Sequence, residues 1–239
     1  MQQHRAGKRV VGLDIFRGWA IVLMVAYHSC YDLNHFRYIH VDLDRDPLFV
    51  YGRYLIVSMF LLSVGMSLYL SHTPAIRWSR MRKRTLLLGA ASAIITVVTA
   101  LQFPHSWVYF GILHFILVAS WVGLFFLSSP ALALTMAISI LLGSLWGWLD
   151  VHWLFELLKA PLHLPTRYTE DVVRFFPWFG AVLLGIAMAG YGLHRRLFVL
   201  PLFSADHRLH RYLAFAGRHA LIIYLLHQPL LFGIFSLLS

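Results

Sequence analysis

Charge is what this sequence has least of. Asp, Glu, Lys and Arg make up 13% of its 239 residues, against about 25% in an ordinary soluble domain. Hydrophobic residues make up 59%, and mean hydropathy is +0.70. A water-soluble fold cannot hide that much apolar surface, so the composition places the chain in a lipid bilayer. Cysteine is nearly missing too. The lone Cys30 excludes an intramolecular disulfide, and inside an apolar run it reads as a small buried hydrophobe. There is no internal repeat and no low-complexity tract, so residues 1–239 are read as a single domain. Acids are scarce: 10 against 20 basic residues leave a net charge of +10. Nucleic-acid binders gather such charge on one face. Here the Lys and Arg lie between apolar runs, where orientation signals and lipid phosphate contacts put them. Nucleic acid is excluded as a partner, and membrane lipids are expected.

What is present is a series of apolar runs of bilayer length. They fall at roughly 11–31, 48–70, 84–102, 107–128, 131–149, 173–193 and 214–237, each near the ~20 residues that span a hydrocarbon core. The expected fold class is all-α, a polytopic membrane helix bundle with about seven transmembrane helices. The first run is long and no small-residue cleavage site follows it, so it reads as the first membrane helix and not as a cleaved signal. Pro104 in the Gln102–Ser106 link and the tight stop at Ser128–Pro130 make successive helices antiparallel neighbours. The mixed stretch from Asp150 to Val172, with Pro161 and Pro165, is too polar for hydrocarbon and reads as an interfacial segment. Gly143 and Gly147, and Gly180, Gly185 and Gly190, read as helix-packing surfaces. Lys and Arg set the orientation. With the N-terminus cytoplasmic, thirteen lie on that side, among them the loop residues Arg80, Arg82, Lys83 and Arg84, and six lie outside. The expected location is the cell (inner) membrane, with the C-terminus outside.

Ionisable groups inside such runs are costly, which makes each a functional candidate. Asp14 and Arg17 are three apart and share a helix face. They suit either a structural ion pair or a seat for an anionic cofactor. His28 and Asp32 are four apart on the same helix. A carboxylate one turn away would orient the imidazole and stabilise its charged form, which is what a general base needs. His114 lies about two turns into the fourth run. His227 lies between Tyr224 and Gln228, where Pro229 removes a backbone donor and frees a carbonyl. Taken singly, each histidine also has a reading as a structural hydrogen-bonding group. By depth, His28, Asp32, His114 and Arg174 fall in the outer halves of their runs and His227 near the middle. Phe175-Phe176-Pro177-Trp178 marks an aromatic entry to the sixth run. The expected site is a polar pocket open to the outer face, with Asp14 and Arg17 at its cytoplasmic end.

Four blocks carry a family likeness: Gly12 to Leu33 (GLDIFRGWAIVLMVAYHSCYDL), Phe110 to Phe115 (FGILHF), Phe176 to Gly180 (FPWFG) and Gly217 to Pro229 (GRHALIIYLLHQP). In order, from first run to last, they resemble the bacterial proteins related to heparan-α-glucosaminide N-acetyltransferase. The Arg-Gly…His opening and the Tyr-Leu-x-His-x-Pro ending are similar to the wider transmembrane acyltransferase superfamily. In that superfamily a first-helix histidine is a proposed catalytic residue, which corresponds to His28. The lysosomal enzyme departs from this pattern. It is longer, has more helices, and carries Asn where this chain has His28. Its catalytic histidine lies in the following loop, where the nearest residue here is His40, one position out of register. Two assignments of the base therefore stand side by side, and His28 is favoured by Asp32 and by its place within a span.

The resemblance implies a membrane acyltransferase. It would take an acyl group, in the first place acetyl, from cytoplasmic acyl-CoA and pass it to a hydroxyl or amine of a sugar-like acceptor outside, a small molecule or a glycan. His28, Asp32, His114 and His227 are the expected catalytic residues. Asp14, Arg17, Arg82, Lys83 and Arg84 would hold the CoA, the basic groups by charge-assisted bonds to its phosphates. Arg174, Trp178, Tyr224 and Gln228 would hold the acceptor, and no metal site is expected. Transfer runs either by direct attack on the thioester or through an acyl-histidine. Two rival readings use the same residues. One is a proton-coupled transporter with the His and Asp groups as a relay, against which the missing inverted repeat counts. The other is a haem-binding electron carrier with His28, His114 and His227 as axial ligands. A homodimer is left open.

Overall fold

The computed structural model describes residues 9–149, 157, 159, 161, 164, 172–203 and 207–238. In chain order the described helices are α1 (Val11–His35), α2 (Pro47–His72), α3 (Trp78–Gln102), α4 (Ile112–Gly123, extended by a 3-10 turn at Leu124–Phe126), α5 (Pro130–Leu145), α6 (Phe175–Gly190), the short α7 (Leu193–Leu197), α8 (Arg208–Arg218) and α9 (Ala220–Leu238). Four of them, α1, α2, α3 and α9, with 25, 26, 25 and 19 residues, are long and apolar enough to cross a membrane. The other three apolar runs form shorter helices. The 16 residues of α5 and of α6 rise about 24 Å against a hydrocarbon core of about 30 Å.

Local chemistry explains where the helices begin and end, and where the expected boundaries shift. α1 carries Asp14 in its first turn, where a carboxylate meets the positive end of the helix dipole. α3 starts at Trp78, so Arg80, Arg82, Lys83 and Arg84 lie on its first two turns and not in a loop. Lys and Arg are good helix formers, and nothing in that run stops the helix from extending back through them. The fourth run starts later than expected, at Ile112. Thr99 Oγ1 accepts the Val108 N–H at 3.0 Å, and the Thr96 hydroxyl donates to the Val108 carbonyl at 2.9 Å. Both backbone groups of Val108 are thereby tied to α3 and withheld from a helix. α5 opens on Ser129, whose hydroxyl accepts from the Leu132 N–H at 3.2 Å, with Pro130 in the first position; both residues suit a helix start. It ends at Leu145, and Gly147 turns the chain at φ +73. Gly147 is therefore a turn residue, where only glycine is unstrained, and not part of a packing surface. The last run is split. Residues 214–218 belong to α8, and His219 breaks the helix before α9.

The chain divides into two compact units, Met1–Ser63 with His194–Ser239, and Val64–Leu193. In the first, α8 lies across the N-terminal half of α1 at glycine contacts. A Cβ on Gly217 would overlap the Asp14 carbonyl, and one on Gly18 the Leu213 carbonyl. His210, Leu213, Ala214 and Gly217 form the buried face of α8, the i, i+3, i+4, i+7 pattern of an amphipathic helix. α9 runs along the C-terminal half of α1, with Ile21, Met24 and Ile56 packed beside Ile223 and Tyr224. In the second unit α6 is the close-packed helix, as its glycines suggested. Gly180 faces Ile140 and Leu141, Gly190 faces Pro130, and Gly65 of α2 approaches the Val182 carbonyl and Gly185. The interfacial segment expected between Asp150 and Val172 lies almost wholly outside the described residues.

Candidate functional site

α1 and α9 bring four predicted residues together. His28 Nδ1 lies 2.9 Å from the Met24 carbonyl, and His227 Nδ1 lies 2.7 Å from the Tyr224 carbonyl. A carbonyl oxygen can only accept, so Nδ1 carries the proton in both rings and Nε2 keeps its lone pair. The two rings meet edge to face with centroids 4.8 Å apart. His227 is buried, and its Nε2 has no partner among the described residues. Asp32 is 0% exposed; its Oδ1 accepts from Gln228 Nε2 at 2.9 Å. Asp32 Oδ2 and Gln228 Oε1 are likewise buried without a partner among the described residues.

This arrangement corrects one assignment and adds a contact to another residue. Asp32 does not orient His28; the Met24 carbonyl one turn earlier does. Helical side chains lean toward the N-terminus, so the imidazole at position 28 meets the preceding turn more readily than the following one. Gln228, expected to hold the acceptor, donates its amide to Asp32 and ties α9 to α1. Tyr224 serves His227 through its carbonyl, and its ring lies 5.7 Å from the imidazole.

In the Asp14–Arg17 pair, Arg17 lies eleven residues before His28 on α1, about 16 Å along the helix axis. Asp14 is buried and held by two cations. Arg9 binds it through Nε and through Nη2 at 3.1 Å, and Arg17 Nη1 lies 3.5 Å from Oδ1. Arg17 Nε also donates to Ser63 Oγ at 3.3 Å, and that hydroxyl donates to the Phe60 carbonyl at 2.7 Å. The pair thus has structural partners in Arg9 and Ser63, and part of the five-donor guanidinium of Arg17 is left over. Arg9 and Ser63 were missed from the sequence. Arg9 stands just outside the first apolar run, and Ser63 is brought in only by the packing of α2.

The remaining candidates lie in the second unit. His114 Nε2 is 3.1 Å from Thr96 Oγ1. The Thr96 proton is directed to the Val108 carbonyl, so Thr96 must accept and His114 Nε2 must donate. The lone pair then rests on Nδ1, which is buried without a partner among the described residues. His114 is fixed in the opposite tautomer from His28 and His227. Arg84 points inward, its Nε donating to Ser120 Oγ at 3.0 Å, while Arg82 and Lys83 are exposed. Arg174 is exposed just before α6, and Trp178 stands in its first turn. His40 is exposed in the connection between α1 and α2.

Four helices of membrane length describe a helical membrane protein, and two tautomer-fixed imidazoles, a carboxyl and an amide meet between α1 and α9, with Asp32 and His227 buried and His28 and Gln228 half-buried. The family model of the catalytic region of heparan-alpha-glucosaminide N-acetyltransferase matches residues 9–229, nearly the whole chain, and the chain belongs to that family. The match identifies a membrane acetyltransferase family, which uses acetyl-CoA as donor, and it favours transfer chemistry over the transporter reading. No curated protein and no solved structure is matched.

Proposed function

We propose that this protein transfers an acetyl group from cytoplasmic acetyl-CoA to a hydroxyl or amine of a sugar-like acceptor on the outer side, with His28 as the base. The observation that supports this most is the pair His28 and His227, each with Nδ1–H tied to a helix carbonyl and Nε2 left with its lone pair. As the acceptor oxygen or nitrogen attacks the thioester carbonyl carbon, its proton passes to His28 Nε2. The C–S bond breaks, the thiolate leaves with the electron pair, and the imidazolium returns the proton to sulfur. The products are an acetyl ester or amide and free CoA, and His28 ends neutral. His227 Nε2 accepts a hydrogen bond from a second O–H or N–H of the acceptor and fixes its angle of attack. Arg17 provides a cation for the CoA phosphates at the other end of α1, and about 16 Å of helix is of the order of an extended phosphopantetheine arm. Arg82 and Lys83 are proposed as further phosphate partners on their charge and exposure, and Trp178 as an acceptor contact.

In this reading α4, α5 and α6 complete seven membrane-embedded segments, with the N-terminus cytoplasmic on the thirteen-to-six bias of basic residues. Reporter fusions after Leu238 and between Ala75 and Trp78 test it; a cytoplasmic readout after Leu238 means an even number of crossings. The activity test is release of free CoA thiol from acetyl-CoA by the purified protein with a panel of amino sugars and glycans. Acceptor-dependent release is expected. Proton-coupled solute flux in vesicles with no acceptor-dependent release would instead favour transport.

A further inference from the structure

Within the second unit, α4, α5, α6 and the turn after α5 enclose a groove of about 580 Å³, lined by Met136, Gly143, Trp146, Trp148, Phe176 and Phe179 among others. Ser139 is the one hydroxyl-bearing residue in the lining, and no charged side chain lines it among the described residues. The volume is that of a small-ligand site, about 300–1,000 Å³, and too small for a helix of roughly 10–12 Å diameter. Its mouth has a distinct chemistry. Trp146 and Trp148 are 62% and 77% exposed with ring centroids 5.0 Å apart, and exposed indoles of a membrane protein belong at the headgroup level. Arg174 immediately precedes Phe175, itself a lining residue. It is exposed and has no ion-pair partner among the described residues.

We propose that this groove binds the hydrocarbon chain of an anionic amphiphile, with Arg174 holding the charged head at the interface. An aromatic-walled groove without charge accepts an aliphatic tail and rejects a sugar, a nucleotide or a headgroup. The guanidinium of Arg174, beside the lining residue Phe175 and without an ion-pair partner among the described residues, selects a carboxylate or phosphate over a neutral head. The groove shares no residue with the His28 cluster, and the proposal does not depend on acetyl transfer.

Tryptophan quenching reads this directly, because carbon-bound bromine quenches an indole on contact. The purified full-length protein is titrated in detergent with 9,10-dibromostearate and, in parallel, with the neutral 9,10-dibromostearyl alcohol. Quenching should saturate with dibromostearate, and the saturable part should vanish when Trp146 and Trp148 are both changed to Phe. Ser139→Phe fills the groove and should abolish saturation; Met136→Phe is a second filling variant should Ser139→Phe not fold. Arg174→Gln should weaken dibromostearate about fivefold and leave the alcohol unchanged, since one basic group near a membrane surface contributes on that scale. Quenching that rises linearly with probe mole fraction, or that is the same in a folded filling variant, would mean ordinary lipid contact and overturn the site. Equal weakening of both probes by Arg174→Gln would overturn the charged head.

Discussion

Replacing Gln228 by Leu tests the bond that ties α9 to α1 at the site. Asp32 is wholly buried, and the Gln228 amide at 2.9 Å is its hydrogen-bond partner among the described residues. Gln228→Leu keeps the approximate volume and leaves the carboxyl with nothing. An orphaned buried polar group costs about 1–3 kcal/mol, and more when charged. In a chain of this length each kcal/mol moves the midpoint by roughly 2–4 °C, so a fall of about 2–12 °C is expected. Asp32→Leu alone strands the Gln228 amide and costs a similar amount. The double variant strands neither group and should cost no more than either single change, because exchanging both partners for apolar groups is nearly neutral. The coupling is then about 2 kcal/mol. Apparent melting in one fixed detergent at one scan rate, followed by intrinsic fluorescence, measures all four species on the same footing. Costs that simply add, within ~0.5 kcal/mol, would refute the reasoning, since the two side chains would then act independently.

The other expectations use different contacts. Gly217→Ala should destabilise by about 1–3 kcal/mol through overpacking, because its new methyl meets the Asp14 carbonyl, whereas Gly52→Ala on α2 meets nothing within 4 Å and should be neutral or stabilising. Matched melting curves separate the two. Thr96→Val should cost about 1–3 kcal/mol by freeing both His114 Nε2 and the Val108 carbonyl, and Thr96→Ser should restore most of it. Equal stability of the two Thr96 variants would count against the hydroxyl network. Arg17→Ala should weaken acetyl-CoA binding more than Ser63→Ala, which removes only one of the guanidinium's anchors; isothermal titration decides, and equal or no loss in both would leave Arg17 purely structural.

Much of this was legible in the sequence. The membrane class follows from composition, and the small-residue character of α6 follows from Gly180, Gly185 and Gly190, each of which meets a packed neighbour. His28, Asp32, His227 and Gln228 were all marked as polar groups in apolar runs. Their wiring was not legible. Helical spacing puts Asp32 and Met24 each one turn from His28, and choosing between them needs the direction in which the side chain leans. Gln228 and Asp32 are 196 positions apart, so nothing local pairs them. Boundaries failed where a side chain took a backbone group out of helix, as Thr96 and Thr99 do at Val108. They failed again where an amphipathic helix ran into an apolar one, as α8 does before α9. Hydropathy averaged over a window reads neither event.

The most direct test is acceptor-dependent acetyl transfer by purified His28→Ala beside His40→Ala and the unchanged protein, with acetyl-CoA binding measured in each. A positioned base contributes about 10²–10⁴ in rate. The account predicts that His28→Ala loses turnover on that scale while still binding acetyl-CoA, and that His40→Ala, altered in the exposed connection after α1, keeps near-full turnover. Loss of transfer in His40→Ala with turnover retained in His28→Ala would place the base in that connection and contradict the assignment of the imidazole pair.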